Sequence, residues 1–204
     1  MKPGVTLFFI RHGQTGWNKA RRIQGQIDSE LIDNGREQAA RNGATLKKLC
    51  DGMGIDLGDL DYVASPLQRT SETMRIVRQN AGLPRDGYRT DDRLKEIHFG
   101  IWQGEYWPEI PTVDPNGHEQ RNGAPFTWRP ETGESYADLN ARCSAWFDEV
   151  ARDTVCVSHG GVSRVLRGHA DRSIPENDVT ELSVPQDKIL VFRHDDRGIH
   201  FEWV

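Results

Sequence analysis

Short apolar runs alternate along this chain with longer stretches whose apolar positions recur at helical spacing. Val5–Ile10 (VTLFFI) is β-branched and aromatic, which predicts a buried strand running into a tight Arg-His-Gly loop. Asp33 is placed as the N-cap of a helix reaching about Leu49, because Ala39, Gly43, Leu46 and Cys50 recur every three or four residues. Leu60–Ala64 predicts a second strand, and Ser65 and Pro66 read as N-cap and first residue of a helix stopped by Gly82. From about Ser135 to Ala151, the residues Tyr136, Leu139, Cys143, Trp146, Phe147 and Val150 fall on one stripe. Thr154–Val157 is the next strand, ending in Ser-His-Gly-Gly and leading into a short helix over Val162–His169. Lys188–His194 and Ile199–Val204 close the chain as a hairpin about Asp195-Asp196-Arg197-Gly198.

Strands alternating with helices imply an α/β fold, a three-layer sandwich whose central sheet is mostly parallel and flanked by helices, with the C-terminal β-hairpin added. A length of 204 residues suits one domain over 1–204. The stretch from Gly100 to Gly133 fits neither periodicity. It is rich in Pro and Gly yet carries Trp102, Tyr106, Trp107, Phe126 and Trp128. We read it as an irregular, lid-like insert, in which packing on itself and contact with substrate weigh equally.

Charge narrows the class of partner. The net charge of −5 argues against nucleic acid or an anionic membrane, while still permitting a local cationic pocket. The first apolar run is too short for a signal-peptide core or a membrane span. Cys50, Cys143 and Cys156 are odd in number and far apart, which reads as buried free thiols in a reducing compartment, the cytoplasm.

Candidate chemistry gathers at strand ends. Arg11-His12-Gly13 and Ser158-His159-Gly160-Gly161 each follow a strand, and in open α/β sheets ligands bind beyond the carboxyl ends of parallel strands. Gly160 opens a helix, whose free N–H groups suit an anion. Arg69 lies in the first turn of its helix, where a cation is unfavourable unless an anion compensates it. Each feature alone is better explained as a surface pair or a solvated side chain, and Glu96 alone is unremarkable. Together they suit phosphoryl transfer. Arg11 and Arg69 offer planar forks for phosphate oxygens, and neutral His12 can attack phosphorus. Glu96 can protonate the leaving alkoxide, and His159 can donate to the phosphoryl group.

The motifs FFIRHGQTGWN, RIQGQIDSELIDNGREQA, ASPLQRTSET, RLKEIHFGIWQGE, TGES and VSHGGVSR, in this order, resemble those of the histidine phosphatase (phosphoglycerate mutase-like) superfamily. The resemblance implies His12 as nucleophile, Arg11, Arg69 and His159 around the phosphate, Glu96 as the acid, and Asn18, Gln24 and Gly25 as further contacts. It also implies a metal-independent phosphatase without a cofactor, acting on a small phosphorylated metabolite. Glu96-Ile97-His98-Phe99-Gly100 and His159-Gly160-Gly161-Val162 depart from the mutase pattern and point to the phosphatase branch. Rival readings are a phosphoglycerate mutase and a catalytically silent phosphate-binding or interaction module, which usually lacks one of these residues. A metallohydrolase is disfavoured, since neither His12 nor His159 has a carboxylate at ligand spacing. His98 is weighed as pocket lining against a solvated loop residue, and Glu131 and Glu134 are read as solvated or helix-start charges. Oligomeric state, homodimer included, is left open.

Overall fold

The computed structural model describes all 204 residues. Its elements run β1 (Thr6–Arg11), α1 (Gly16–Lys19), α2 (Asp33–Met53), β2 (Asp61–Ala64), α3 (Gln68–Asn80), β3 (Arg89–Thr90), α4 (Ile110–Val113), α5 (Pro115–Gly123), α6 (Tyr136–Glu149), β4 (Thr154–Ser158), α7 (Gly160–Ala170), α8 (Glu176–Val179), β5 (Ile189–Asp195) and β6 (Gly198–Trp203). One sheet has the order β3-β2-β4-β1-β5-β6. The first four strands are mutually parallel, and β5 and β6 add antiparallel pairing. No helix is long and apolar enough to cross a membrane.

The strands are apolar on both faces because both faces are covered. Phe8, Ile10, Val155 and Val157 pack against Ala39, Leu46 and Cys50 of α2 and Met74 and Val77 of α3. Leu7, Phe9 and Cys156 point the other way, onto Leu139, Trp146 and Phe147 of α6 and Val162 and Leu166 of α7. The two-residue period of β1 thus feeds two separate cores. All three cysteines are buried and unpaired.

Several boundaries move for physical reasons. Asp33 is not the N-cap of α2: Ile32 holds that extended position, and Asp33 lies in the first turn as a favourable charge. Ser65-Pro66 does not open α3, which starts at Gln68 with Leu67 as N-cap. The Ser65 hydroxyl faces the His159 ring at 2.8 Å instead, and the Leu67 N–H reaches it only at 3.4 Å. Helix α7 begins at Gly160, earlier than the apolar period suggests, with His159 as N-cap. The segment 100–133 holds α4 and α5, so it is less irregular than its composition implies. Pro115 opens α5 and the Asp114 carboxylate caps it at the Gly117 N–H, 2.9 Å away. Beneath them Ile23, Trp102 and Ile110 form a third small core, flanked by Trp107 and Trp128.

Candidate active site

Parallel pairing of β1 with β4 sets Arg11 opposite Ser158, so the residues that follow, His12 and His159, emerge side by side. Their ring centroids are 5.2 Å apart at 64°, edge against face. His12 Nδ1 lies 2.9 Å from the Gly13 carbonyl, which can only accept, so the ring proton sits on Nδ1. Nε2 keeps its lone pair and makes no hydrogen bond to the protein. Burial, then the charges of Arg69 and Arg11, hold His12 well below the usual histidine range. The ring is neutral at physiological pH.

His159 is held low by burial first, then by Arg69. Its Nε2 meets Ser65 Oγ, whose hydrogen has no other acceptor among the bonds it makes. The His159 proton therefore belongs on Nδ1, a buried atom without a partner. His159 is fully buried beside His12 and, unlike the other residues expected to touch substrate, is not among the side chains lining the cleft, so its unpartnered Nδ1 is what it can offer to a bound group.

The cleft is open to solvent, spans about 600 Å³ with its mouth included, and is lined by Arg11, His12, Asn18, Gln24, Gly25, Arg69, Glu96 and Gly160 among others. Arg69 donates through its terminal nitrogens to the carbonyls of Ile27 and Gly25 at 2.9 and 2.6 Å. Arg11 donates to Val184 at 2.7 Å. In both guanidinium groups Nε is buried and unpartnered. Burial lowers Arg11 to about 10, so it remains a cation at neutral pH. The Val184 carbonyl is one of three in a row held by arginines, since Arg164 takes Leu182 and Arg167 takes Ser183, each at 2.8 Å. Gln186 Nε2 in the same loop donates to the His12 carbonyl and to Asn18 Oδ1.

Gly25 has φ +55°, and a Cβ there would meet Gln103 Oε1 at 2.1 Å, so only glycine fits this turn. Asn18 is the third residue of α1 and closes a capping box with Thr15. Glu96 accepts the Ile97 N–H at 3.0 Å and the Gly161 N–H at 3.1 Å, which ties the carboxylate to the start of α7. A Cβ on Gly161 would come within 2.4 Å of Glu96 Oε1, which explains the second glycine of the Gly-Gly pair.

Sequence reasoning missed Arg22, Phe99, Tyr136, Gly161 and Arg164, which also line the cleft. Arg164 had a readable signal, being one helical turn beyond Gly160. Tyr136 had none, since its position on the apolar stripe marks it as core. The insert's aromatics divide: Trp102 is 1% exposed in the small core, whereas Trp107 reaches the cleft. His98 does not line it, because its Nδ1 accepts the Gly100 N–H and its Nε2 faces Gln103. Glu134 is not simply solvated; it pairs with Arg142 at 2.9 Å and accepts the His98 N–H. No group of three His, Cys, Asp or Glu side chains converges as a metal site would require.

A family model described as "Histidine phosphatase superfamily (branch 1)" matches residues 7–204. Among curated proteins, the chain is 35% identical over 174 residues to a glucosyl-3-phosphoglycerate phosphatase of Mycobacterium tuberculosis, covering 78% of this chain and 72% of that one. It is 31% identical over 162 residues to a probable phosphoglycerate mutase, GpmB, of Shigella dysenteriae, covering 76% and 70%. Among solved structures, Bacillus stearothermophilus YhfR superposes with a TM-score of 0.78 at 29% identity, over 98% of this chain and 96% of that one. A mycobacterial glucosyl-3-phosphoglycerate phosphatase complexed with VO3 gives 0.77 at 28%, over 98% of each. With the model spanning the chain from β1 to its last residue, this protein belongs to the histidine phosphatase superfamily, branch 1.

Proposed function

We propose that this chain hydrolyses phosphate monoesters of small metabolites through a phosphohistidine formed on His12. The observation that carries the reading is the state of the His12 ring: neutral, with its proton fixed on Nδ1 by the Gly13 carbonyl and Nε2 free beside Arg11 and Arg69. An imidazole in that form is a nucleophile with its lone pair ready. Nε2 forms the bond to phosphorus as the P–O bond to the alcohol breaks, and the Glu96 carboxyl gives its proton to the leaving oxygen. Water then attacks phosphorus as the P–Nε2 bond breaks and its electron pair returns to His12, the water proton passes to the Glu96 carboxylate, and inorganic phosphate leaves. Arg11, Arg69, Asn18 and the Gly160 end of α7 surround the phosphoryl oxygens, with Gln24 and Gly25 shaping the adjoining turn. His159 Nδ1, the remaining unpartnered donor of the histidine pair, is assigned to the same oxygens.

A metal-independent reaction fits this distribution of charge, because the cations are supplied by arginines. The relatives named as phosphatases at 35% identity favour hydrolysis over transfer between hydroxyls. Three buried, unpaired thiols suit a reducing compartment such as the cytoplasm. Rapid mixing with a ³²P-labelled alkyl phosphate, followed by a base quench and peptide mapping, tests the proposal. Label on the peptide containing His12, lost in acid and absent from His12→Asn, is the expected result. Label on a serine or cysteine, or none during turnover, would refute it.

A further inference from the structure

Glu96, the acid of the proposed reaction, sits on a segment without regular structure of its own. From Lys95 to Phe99 the chain is neither helix nor strand, so no backbone ladder fixes the carboxylate in place. The carbonyls of 93–96 are held by side chains instead. Arg142 of α6 donates from Nη1 to the carbonyls of Arg93 and Lys95 at 2.7 and 2.6 Å, and from Nη2 to that of Glu96 at 3.0 Å. Ser158 Oγ donates to the Leu94 carbonyl at 2.8 Å, and Gln26 Nε2 also reaches the Glu96 carbonyl, at 3.0 Å.

Arg142 is itself fixed. Its Nε and Nη2 meet the two oxygens of Glu134 at 3.0 and 2.9 Å, a bidentate pair. Glu134 immediately precedes Ser135, the N-cap whose capping box with Asp138 sets the start of α6. The Glu134 carboxylate accepts the His98 N–H at 2.9 Å, and the Glu134 N–H donates to the His98 carbonyl at 2.8 Å. The pair therefore grips the chain on both sides of the acid, at 93–96 through Arg142 and at His98 through Glu134. The Arg142 side chain is 19% exposed, and neither residue is among those lining the catalytic cleft. A largely buried ion pair contributes little net stability over apolar packing of the same volume, so stability alone is a weak reason for one here.

Resting on the phosphatase reading, in which Glu96 is the proton donor, we infer that Glu134 and Arg142 are positioning residues, which hold the backbone on either side of Glu96 so that its carboxyl meets the leaving oxygen. Neither touches the substrate. The planar guanidinium reaches three carbonyls and a carboxylate at once, which a lysine ammonium in its place does not. Proton transfer demands hydrogen-bond reach, and a displacement of about 1 Å can cost about a hundredfold in rate.

The test compares phosphoenzyme formation, by rapid quench, from glycerol 3-phosphate and from p-nitrophenyl phosphate. Only the first has a leaving group that needs the proton. Arg142→Lys keeps the charge and loses the fork, and should lower the glycerol 3-phosphate rate roughly ten- to hundredfold more than the p-nitrophenyl rate. Glu134→Gln turns an amide NH2 towards Arg142 or the His98 N–H, both donors, and should show the same selectivity at a smaller factor. It carries the comparison if Arg142→Lys does not fold. Both substrates meet the same folded enzyme, so any loss of folded protein cancels in the ratio. Added to Glu96→Gln, Arg142→Lys should change the glycerol 3-phosphate rate little, because no acid is left to position. A folded Arg142→Lys with an unmoved ratio, a Glu134→Gln with an unmoved ratio, or the full Arg142→Lys loss persisting in the Glu96→Gln background would each overturn the inference. If Glu96→Gln alone fails to separate the two substrates, the acid assignment falls and the inference with it. If wild type forms no phosphoenzyme, the phosphatase reading itself is wrong.

Discussion

Replacing Glu96 by Gln separates a proton donor from a structural prop. The carboxylate accepts two backbone N–H groups, Ile97 on Oε1 at 3.0 Å and Gly161 shared between Oε1 at 3.1 Å and Oε2 at 3.2 Å. The amide oxygen of Gln, placed at Oε1, still accepts from both, so shape, volume and the tie to α7 largely survive, and the transferable proton is what disappears. General acid catalysis is typically worth ~10²–10⁴-fold, and the full effect belongs to poor leaving groups. Hydrolysis of glycerol 3-phosphate, which leaves as a basic alkoxide, should therefore fall within roughly that range. p-Nitrophenol leaves as a stabilised anion and hardly needs the proton, so formation of the phosphoenzyme from p-nitrophenyl phosphate should lose much less. Rapid-quench measurement of that first step on both substrates is the assay, since hydrolysis of the phosphoenzyme uses Glu96 again. An equal loss on both substrates would mean that Glu96 only positions neighbouring groups, and the acid would have to be sought elsewhere.

Two further outcomes follow from the same geometry. His12 is buried and held well below its unfolded value of about 6.5, so the unfolded chain takes up that proton first. Its contribution to stability is present above pH 6.5 and is lost as pH falls towards the lower folded value. The slope approaches about 1.4 kcal/mol per pH unit, and urea titrations between pH 7 and 5 should show a shallower decline for His12→Asn. Gly161→Ala places a methyl 2.4 Å from Glu96 Oε1. It should lower alkyl-ester turnover at least tenfold by displacing the acid, and unchanged kcat would show that the Glu96–Gly161 contact is dispensable.

Much of the architecture was legible because periodicity reports burial. β1 and β4 read as continuous apolar runs since helices cover both sides of them, and α6 as a stripe since one side of it faces solvent. The exceptions are local. β3 is two exposed residues long, too short to leave a pattern. In α4 and α5, Pro and Gly occupy capping and first-turn positions, where they begin a helix yet look like breakers. Ser65 resembled a cap because Ser-Pro is a common helix start, but its hydroxyl is engaged by a histidine 94 positions away.

The sequence by itself determined the family and the candidate site: two strand-end histidines, two arginines, one glutamate and the glycines between them, in an order that matches one superfamily. Those signals are local, because a strand, a tight turn and a helix start are each written within a few consecutive residues. The tertiary structure decided what state those residues are in and what surrounds them. The proton sits on Nδ1 of His12 because the Gly13 carbonyl faces it, and the ring is neutral because burial and two arginines make it so. Trp102 and Trp107 look alike in sequence, yet one fills a small core and the other lines the cleft. Arg164 and Tyr136 come from different helices and meet only when α6 packs on α7. Hydrogen-bond partners, local dielectric and the convergence of distant side chains depend on long-range packing, which a one-dimensional pattern does not encode.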